Sequence, residues 1–271
     1  MRNQKFITAI LLTVSLGLFV VACTTVPVTG RKQLSLIPES DLLTMSYQQY
    51  DQFLNEHELS DNEDKSEMVR EVGLNIQLAV EEYFKERNMS NQLNGYEWEF
   101  NLVESEQVNA FCMPGGKVVV YQGIMPIADG ENGLAVIMGH EIAHAVANHG
   151  GERMSQALVT QLGGMALSAA LDQKPETTRQ LALVAFGVGA QVGVLLPYSR
   201  LHESEADRLG LTFMAMAGYD PRGAVDFWQR MSDEKGGATP PEFLSTHPSD
   251  QTRINQIKEY LPKALEEYNP S

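Results

Sequence analysis

His140-Glu141-Ile142-Ala143-His144 lies inside an apolar run that carries Leu134, Val136, Ile137, Ile142 and Val146. No other stretch narrows the fold as far. Residues four apart on a helix share one face about one turn apart, so both imidazoles can converge on a single ion. Neutral imidazole is a good zinc donor, at roughly 2.0–2.1 Å. Glu141, beside the first histidine, is placed to take a proton from water activated by such an ion. The bland alternative is a solvated helix face with two histidines and a glutamate. The apolar surroundings argue against it, because uncompensated polar groups are costly there. The pattern predicts a metal-holding helix over about 131–148.

A hydrolytic zinc site takes three protein ligands and leaves a fourth position for water. The continuation used by metzincins needs Gly and His at the seventh and tenth positions after His140, and Ala147 and Gly150 stand there instead. His149 is one residue off and is expected to be structural. Glu203 is the better third donor. With Asp207 it forms an i, i+4 pair on a later helical stretch, Ser199–Arg208. One carboxylate of such a pair can ligate while the other fixes the tautomer of a ligand imidazole. A charged, solvated helix face has the same spacing. Glu205 points to another side and is expected to belong to such a face.

Around these motifs the chain alternates helical and strand patterns. Met68, Val72, Ile76, Ala79, Val80 and Tyr83 recur at helical spacing, whereas Tyr96–Leu102 alternates large apolar with polar residues. Val108–Cys112 and Lys117–Tyr121 flank Met113-Pro114-Gly115-Gly116, a strand–turn–strand signal. A small antiparallel sheet is therefore expected beside the helix. Met154–Leu171 and Gln180–Tyr198 are free of charge and separated by a charged segment, which reads as a buried or partly membrane-facing helical hairpin.

Residues 1–22 read as a targeting segment, with Arg2 and Lys5 ahead of an apolar stretch that ends Val20-Val21-Ala22-Cys23. That ending resembles the lipobox of bacterial lipoproteins, with Cys23 as the lipidated residue. By analogy, Thr24 after it implies an outer-membrane destination. The expected location is thus a bacterial cell envelope, lipid-anchored and facing the periplasm. Residues 23–38 read as a tether and 39–271 as the working domain. The net charge is −15, or −17 once Arg2 and Lys5 are removed with the leader. Such a surface repels phosphate backbones, so nucleic acid is not an expected partner.

The motifs together carry a resemblance. HEIAH, then HESEADRLG about sixty residues on, then Ser245-Thr246-His247-Pro248-Ser249 is similar to metallopeptidase family forty-eight. That family holds the CaaX prenyl proteases and the HtpX heat-shock proteases, with periplasmic and lipoprotein members. The resemblance implies an α+β, mainly helical zincin-like domain holding one zinc ion. It makes His140, His144 and Glu203 the zinc ligands and Glu141 the general base. Asp207 then orients a ligand histidine. His247 either stabilises the oxyanion or ligates zinc in a latent state. Arg200 and Arg253 are supporting residues. Asn109, Ala110 and Phe111 would begin an edge strand along which a peptide substrate aligns by main-chain hydrogen bonds. The implied activity is zinc endopeptidase cleavage of misfolded or misassembled envelope proteins, with a latent, chaperone-like protein as the alternative.

Overall fold

The computed structural model describes residues 23–26, 29–234, 241–248 and 251–270. The expected leader, 1–22, lies outside them. Strand β1 (Cys23–Thr25) pairs antiparallel with β2 (Lys32–Leu34), with Cys23 opposite Leu34. The segment expected to be a tether is thus a hairpin, and Val26 at its turn is buried in the main core. Helices α1 (Glu39–Glu56) and α2 (Glu63–Glu86) follow. Asn62 caps α2 by accepting from the Lys65 amide at 3.0 Å, satisfying one of the free N–H groups that every helix start exposes.

The sheet has the order β3-β5-β4, from β3 (Glu99–Val103), β4 (Ala110–Met113) and β5 (Lys117–Tyr121). The Pro114-Gly115-Gly116 turn makes β4 and β5 antiparallel, as the sequence predicts. Strand β3 joins the other side of β5 in parallel. All of β5 is buried. Strand β4 is left at an edge, next to helix α3 (Glu131–Val146).

Helix α3 is the centre of the molecule. Every residue from Gly133 to Val146 is buried, including the polar ones of the HEIAH motif. It begins after Asp129 and Gly130, both with positive φ, which break the preceding helical turn Met125–Ala128. Helices α4 (His149–Ala170), α5 (Glu176–Ala190) and α6 (Leu196–Met216) follow. A five-residue π-helical stretch, Gln191–Leu195, joins α5 to α6. Then come α7 (Gly223–Glu234), the short α8 (Glu242–Thr246) and α9 (Gln251–Glu266).

Helix α3 packs most extensively against α6, and two glycines make that possible. A Cβ on Gly210 would stand 2.9 Å from the Gly139 carbonyl carbon and 2.9 Å from the His140 nitrogen. Both are backbone atoms of helix α3, which cannot step aside as a side chain could. Gly210→Ala should therefore cost about 1–3 kcal/mol of stability, as overpacking does. Denaturant unfolding checks this, and an unchanged midpoint would mean that the helices separate freely.

The two charge-free stretches do form a helical hairpin, but not a buried one. In α4 burial ends with Gln156, and no residue of α5 is buried. Met165 is 62% exposed, Leu181 72% and Val184 64%. The buried version of that expectation fails because the core is already filled by α2, α3, α6 and the sheet. Leu181→Ser and Val184→Ser should then shift stability by no more than about 0.5 kcal/mol, the usual range for surface changes. Urea unfolding measures it, and a loss of several kcal/mol would show that this face packs against protein. Among the described residues, one helical run is long and apolar enough to cross a membrane: Glu176–Met216.

Candidate metal centre

Four elements place the site. Helix α3 carries His140, Glu141 and His144, α6 carries Glu203 and Asp207, the residue after α8 is His247, and α9 carries Arg253. All seven side chains are buried. The Nε2 atoms of His140 and His144 lie 3.1 Å apart. Glu203 reaches both, with Oε2 at 3.4 Å from His140 Nε2 and Oε1 at 3.3 Å from His144 Nε2. His247 joins them, its Nδ1 at 3.1 Å from His140 Nε2 and 3.0 Å from Glu203 Oε2. One donor atom from each of these four residues fits within 4.8 Å of the others. Three imidazoles and a carboxylate converging in the interior are a donor set suited to zinc.

Asp207 stands behind His140, with Oδ1 at 3.0 Å from Nδ1. This leaves Nε2 of His140 facing the cluster. Arg253 holds Asp207 through two hydrogen bonds, Nε to Oδ2 at 2.8 Å and Nη2 to Oδ1 at 2.7 Å. It also reaches Glu203 Oε2 at 3.1 Å and stacks over the Trp228 ring at 3.5 Å. Arg253 therefore supports the site as expected, whereas Arg200 is exposed.

Glu141 is different. Its Oε1 is buried and finds no hydrogen-bond partner among the described residues. Nε2 of His247 stands 3.4 Å away. A buried carboxylate oxygen without a partner is costly unless something else is meant to meet it. Burial raises the Glu141 carboxyl above its ordinary value, with His247 and His140 opposing.

The protonation of the cluster follows from the same geometry. Burial disfavours charge on both α3 histidines. At His140, hydrogen bonds to Asp207 and Glu203 outweigh it and raise the ring to about 9. At His144 burial prevails and holds it well below its ordinary value. Burial also works against an ionised Glu203, but hydrogen bonds from His140, His144 and His247 hold it far below the carboxylate range. Two adjacent buried rings cannot both carry a positive charge, and the two shifts accordingly run in opposite directions.

Two residues that sequence reasoning set aside sit in the interior beside this cluster. His149 is fully buried, with Nδ1 at 2.8 Å from His144 Nδ1. Glu205 does face away from Glu203, as expected, since residues two apart on a helix point about 200° apart. That other side is not solvent. Glu205 Oε2 meets His149 Nε2 at 3.0 Å. Helical spacing gives the direction of a side chain but not what lies there.

Ala110 and Phe111 belong to the edge strand β4, with Asn109 just before it. The amide of Phe243 in α8 donates to the Val108 carbonyl at 3.0 Å, so the segment leading to His247 is tied to the start of this strand.

The sequence profile of Peptidase family M48 matches residues 73–261, a stretch that contains every side chain of this cluster. The chain belongs to peptidase family M48. The chain is 38% identical over 173 residues to the mitochondrial metalloendopeptidase OMA1 of Schizosaccharomyces pombe, covering 64% of this chain and 49% of that one. With the Saccharomyces cerevisiae enzyme of the same name the identity is 34% over 200 residues, 71% and 55% of the two chains. The β-barrel assembly-enhancing protease of Yersinia pestis is 30% identical over 184 residues, 62% and 37% of the two chains. The M48 chain thus spans about half the length of the mitochondrial relatives.

These relatives correct the expected location. The more similar of them are mitochondrial enzymes, which overturns the expectation of a lipid-anchored protein facing the periplasm in a bacterial envelope. An apolar stretch behind two basic residues is shared by several kinds of targeting segment, so it was too weak a signal for that conclusion.

Proposed function

We propose that this M48 chain is a zinc-dependent endopeptidase that cuts unfolded or misassembled proteins. The observation that carries the reading is the convergence of His140, His144 and Glu203 beside the unpartnered Oε1 of Glu141. In this reading the first three residues hold the metal. Zinc there supplies the Lewis acidity that lets water attack a peptide carbonyl near neutral pH. Glu141 accepts the proton of the attacking water and passes it to the leaving amine. Asp207 and Arg253 keep His140 turned towards the metal position. A substrate lies as an added strand along β4, paired through its main chain, which demands little of its side chains. Such recognition suits chains that have lost their fold. The name of the Yersinia pestis relative, a β-barrel assembly-enhancing protease, links that similar chain to protein assembly, in keeping with this reading.

The test is metal removal. A chelator should abolish cleavage of casein, and zinc should restore it where magnesium does not, since a nitrogen-rich donor set disfavours the harder ion. Cleavage that survives chelation, with the metal shown to be gone, would sink the proposal.

A second reading has its own observation. His247 takes up the fourth position around the cluster, the one that a hydrolytic zinc site keeps open for water. In that reading the structure is a resting state, and the chain binds unfolded proteins more often than it cuts them. The Phe243–Val108 hydrogen bond holds the closing segment against the strand where substrate would lie.

A further inference from the structure

We infer that His149 and Glu205 are positioning residues for His144, held in place by Arg31 of the N-terminal hairpin. The inference rests on the metal-peptidase reading and extends it to a part of the chain that carries none of the proposed ligands.

The direction of each proton can be worked out from the cluster outwards. His144 turns Nε2 to the other donors, 3.1 Å from His140 Nε2, so a neutral ring ready to ligate there must carry its proton on Nδ1. That atom lies 2.8 Å from His149 Nδ1. Two nitrogens at this distance share one hydrogen, so His149 must offer a lone pair on Nδ1 and carry its own proton on Nε2. This second proton meets an acceptor, Glu205 Oε2 at 3.0 Å. Only one arrangement satisfies every atom: His144 donates to His149, and His149 donates to Glu205. The wrong tautomer of His144 would place two lone pairs, or two hydrogens, against each other in a dry interior.

The far end of the chain of hydrogen bonds is anchored with equal care. Glu205 accepts from Thr29 Oγ1 and from Arg31 Nε, the latter at 2.9 Å. Arg31 also grips both oxygens of Glu152, at 3.1 and 2.7 Å. Glu152 in turn accepts from His202 Nε2 at 2.9 Å. The His202 ring lies flat on His149, with centroids 4.3 Å apart and planes 14° from parallel. His149 is thus fixed at Nδ1, at Nε2 and on one face. Buried ion pairs are usually no more stabilising than apolar residues of the same volume. A set of them arranged around a single nitrogen of one ligand points to orientation, not stability, as its purpose. Asp207 does the corresponding work for His140, from the same helix as Glu205.

Two substitutions at one position separate orientation from packing. In His149→Asn the amide oxygen can stand near the place of Nδ1 and still accept from His144. In His149→Phe the ring volume and the stack on His202 are kept, but the acceptor is lost. The full chain would be loaded with zinc, and affinity measured by competition with a chelator. The Co2+-substituted forms would report ligand geometry through their d–d absorption bands. His149→Phe should bind zinc about 10–100-fold more weakly, the usual effect of removing a partner of a ligand histidine, with an altered Co2+ spectrum. His149→Asn should stay within about threefold of wild type, well short of that loss. Glu205→Gln keeps an acceptor but loses its charge and should fall between them, so a Phe variant that fails to fold does not remove the test. A packing role predicts the opposite order, with Phe better than Asn. That order, or equal affinity in all variants including Glu205→Gln, would overturn the inference while leaving the metal site itself standing. A wild-type chain that binds no zinc would overturn the metal reading as well.

Discussion

Glu141→Gln should cut hydrolysis of an unfolded protein by about 10²–10⁴-fold, the range expected for loss of a general base. Zinc content should stay that of the wild type. The two side chains have the same shape, and Oε1 of Glu141 makes no hydrogen bond that the amide could break. The substitution therefore removes a proton acceptor and little else. Casein cleavage by both proteins, with metal measured in each, is the experiment. A variant that cuts at the wild-type rate with zinc bound would exclude Glu141 as the base and reopen the mechanism.

His247→Ala is the second large effect, and its sign is the informative part. Nδ1 of His247 lies within 3.2 Å of His140 Nε2 and of both Glu203 oxygens, which is the position of a fourth donor. If that donor closes the site, its removal opens the place for water, and the rate should rise. A closed state favoured by about 1.4 kcal/mol would give roughly a tenfold increase. If His247 instead stabilises the oxyanion, kcat should fall by about 10²–10³-fold with KM little changed. The geometry supports the increase. A fall in kcat would sink the resting-state reading and assign His247 to the chemistry.

The sequence made the centre of this site legible because its logic is local. HEIAH and the Glu203–Asp207 pair each lie on one helix, where spacing fixes direction. The edge position of β4 followed from a turn signal together with the family resemblance. What the sequence did not disclose is set by long-range packing. His149 met the wrong spacing for a known ligand pattern, and Glu205 looked like part of a solvated face. Their roles appear only when α4 and the N-terminal hairpin close over them. Arg31 lies 121 and 174 residues from its two partners, a separation that no periodicity can bridge. The hairpin of α4 and α5 formed as the two charge-free stretches predict, but freedom from charge left burial and membrane contact both open and says nothing of whether the core has room.

Glu203 and Asp207 do not stand on an isolated helix. They lie on a single helical run of 41 residues, Glu176–Met216, whose most apolar window has none of its residues buried. At 1.5 Å per residue the run is a rod of about 60 Å, clamped at one end by Gly139 and Arg253, while its other end lies outside the core, paired with α4. Load applied to this outer hairpin therefore acts as torque on the clamped end, where the two carboxylates meet the histidines. The π-helical turn at Gln191–Leu195 is the compliant joint along the way, because its hydrogen bonding is the least regular part of the rod. Whatever the outer arm leans on has mechanical access to the metal position without coming near it.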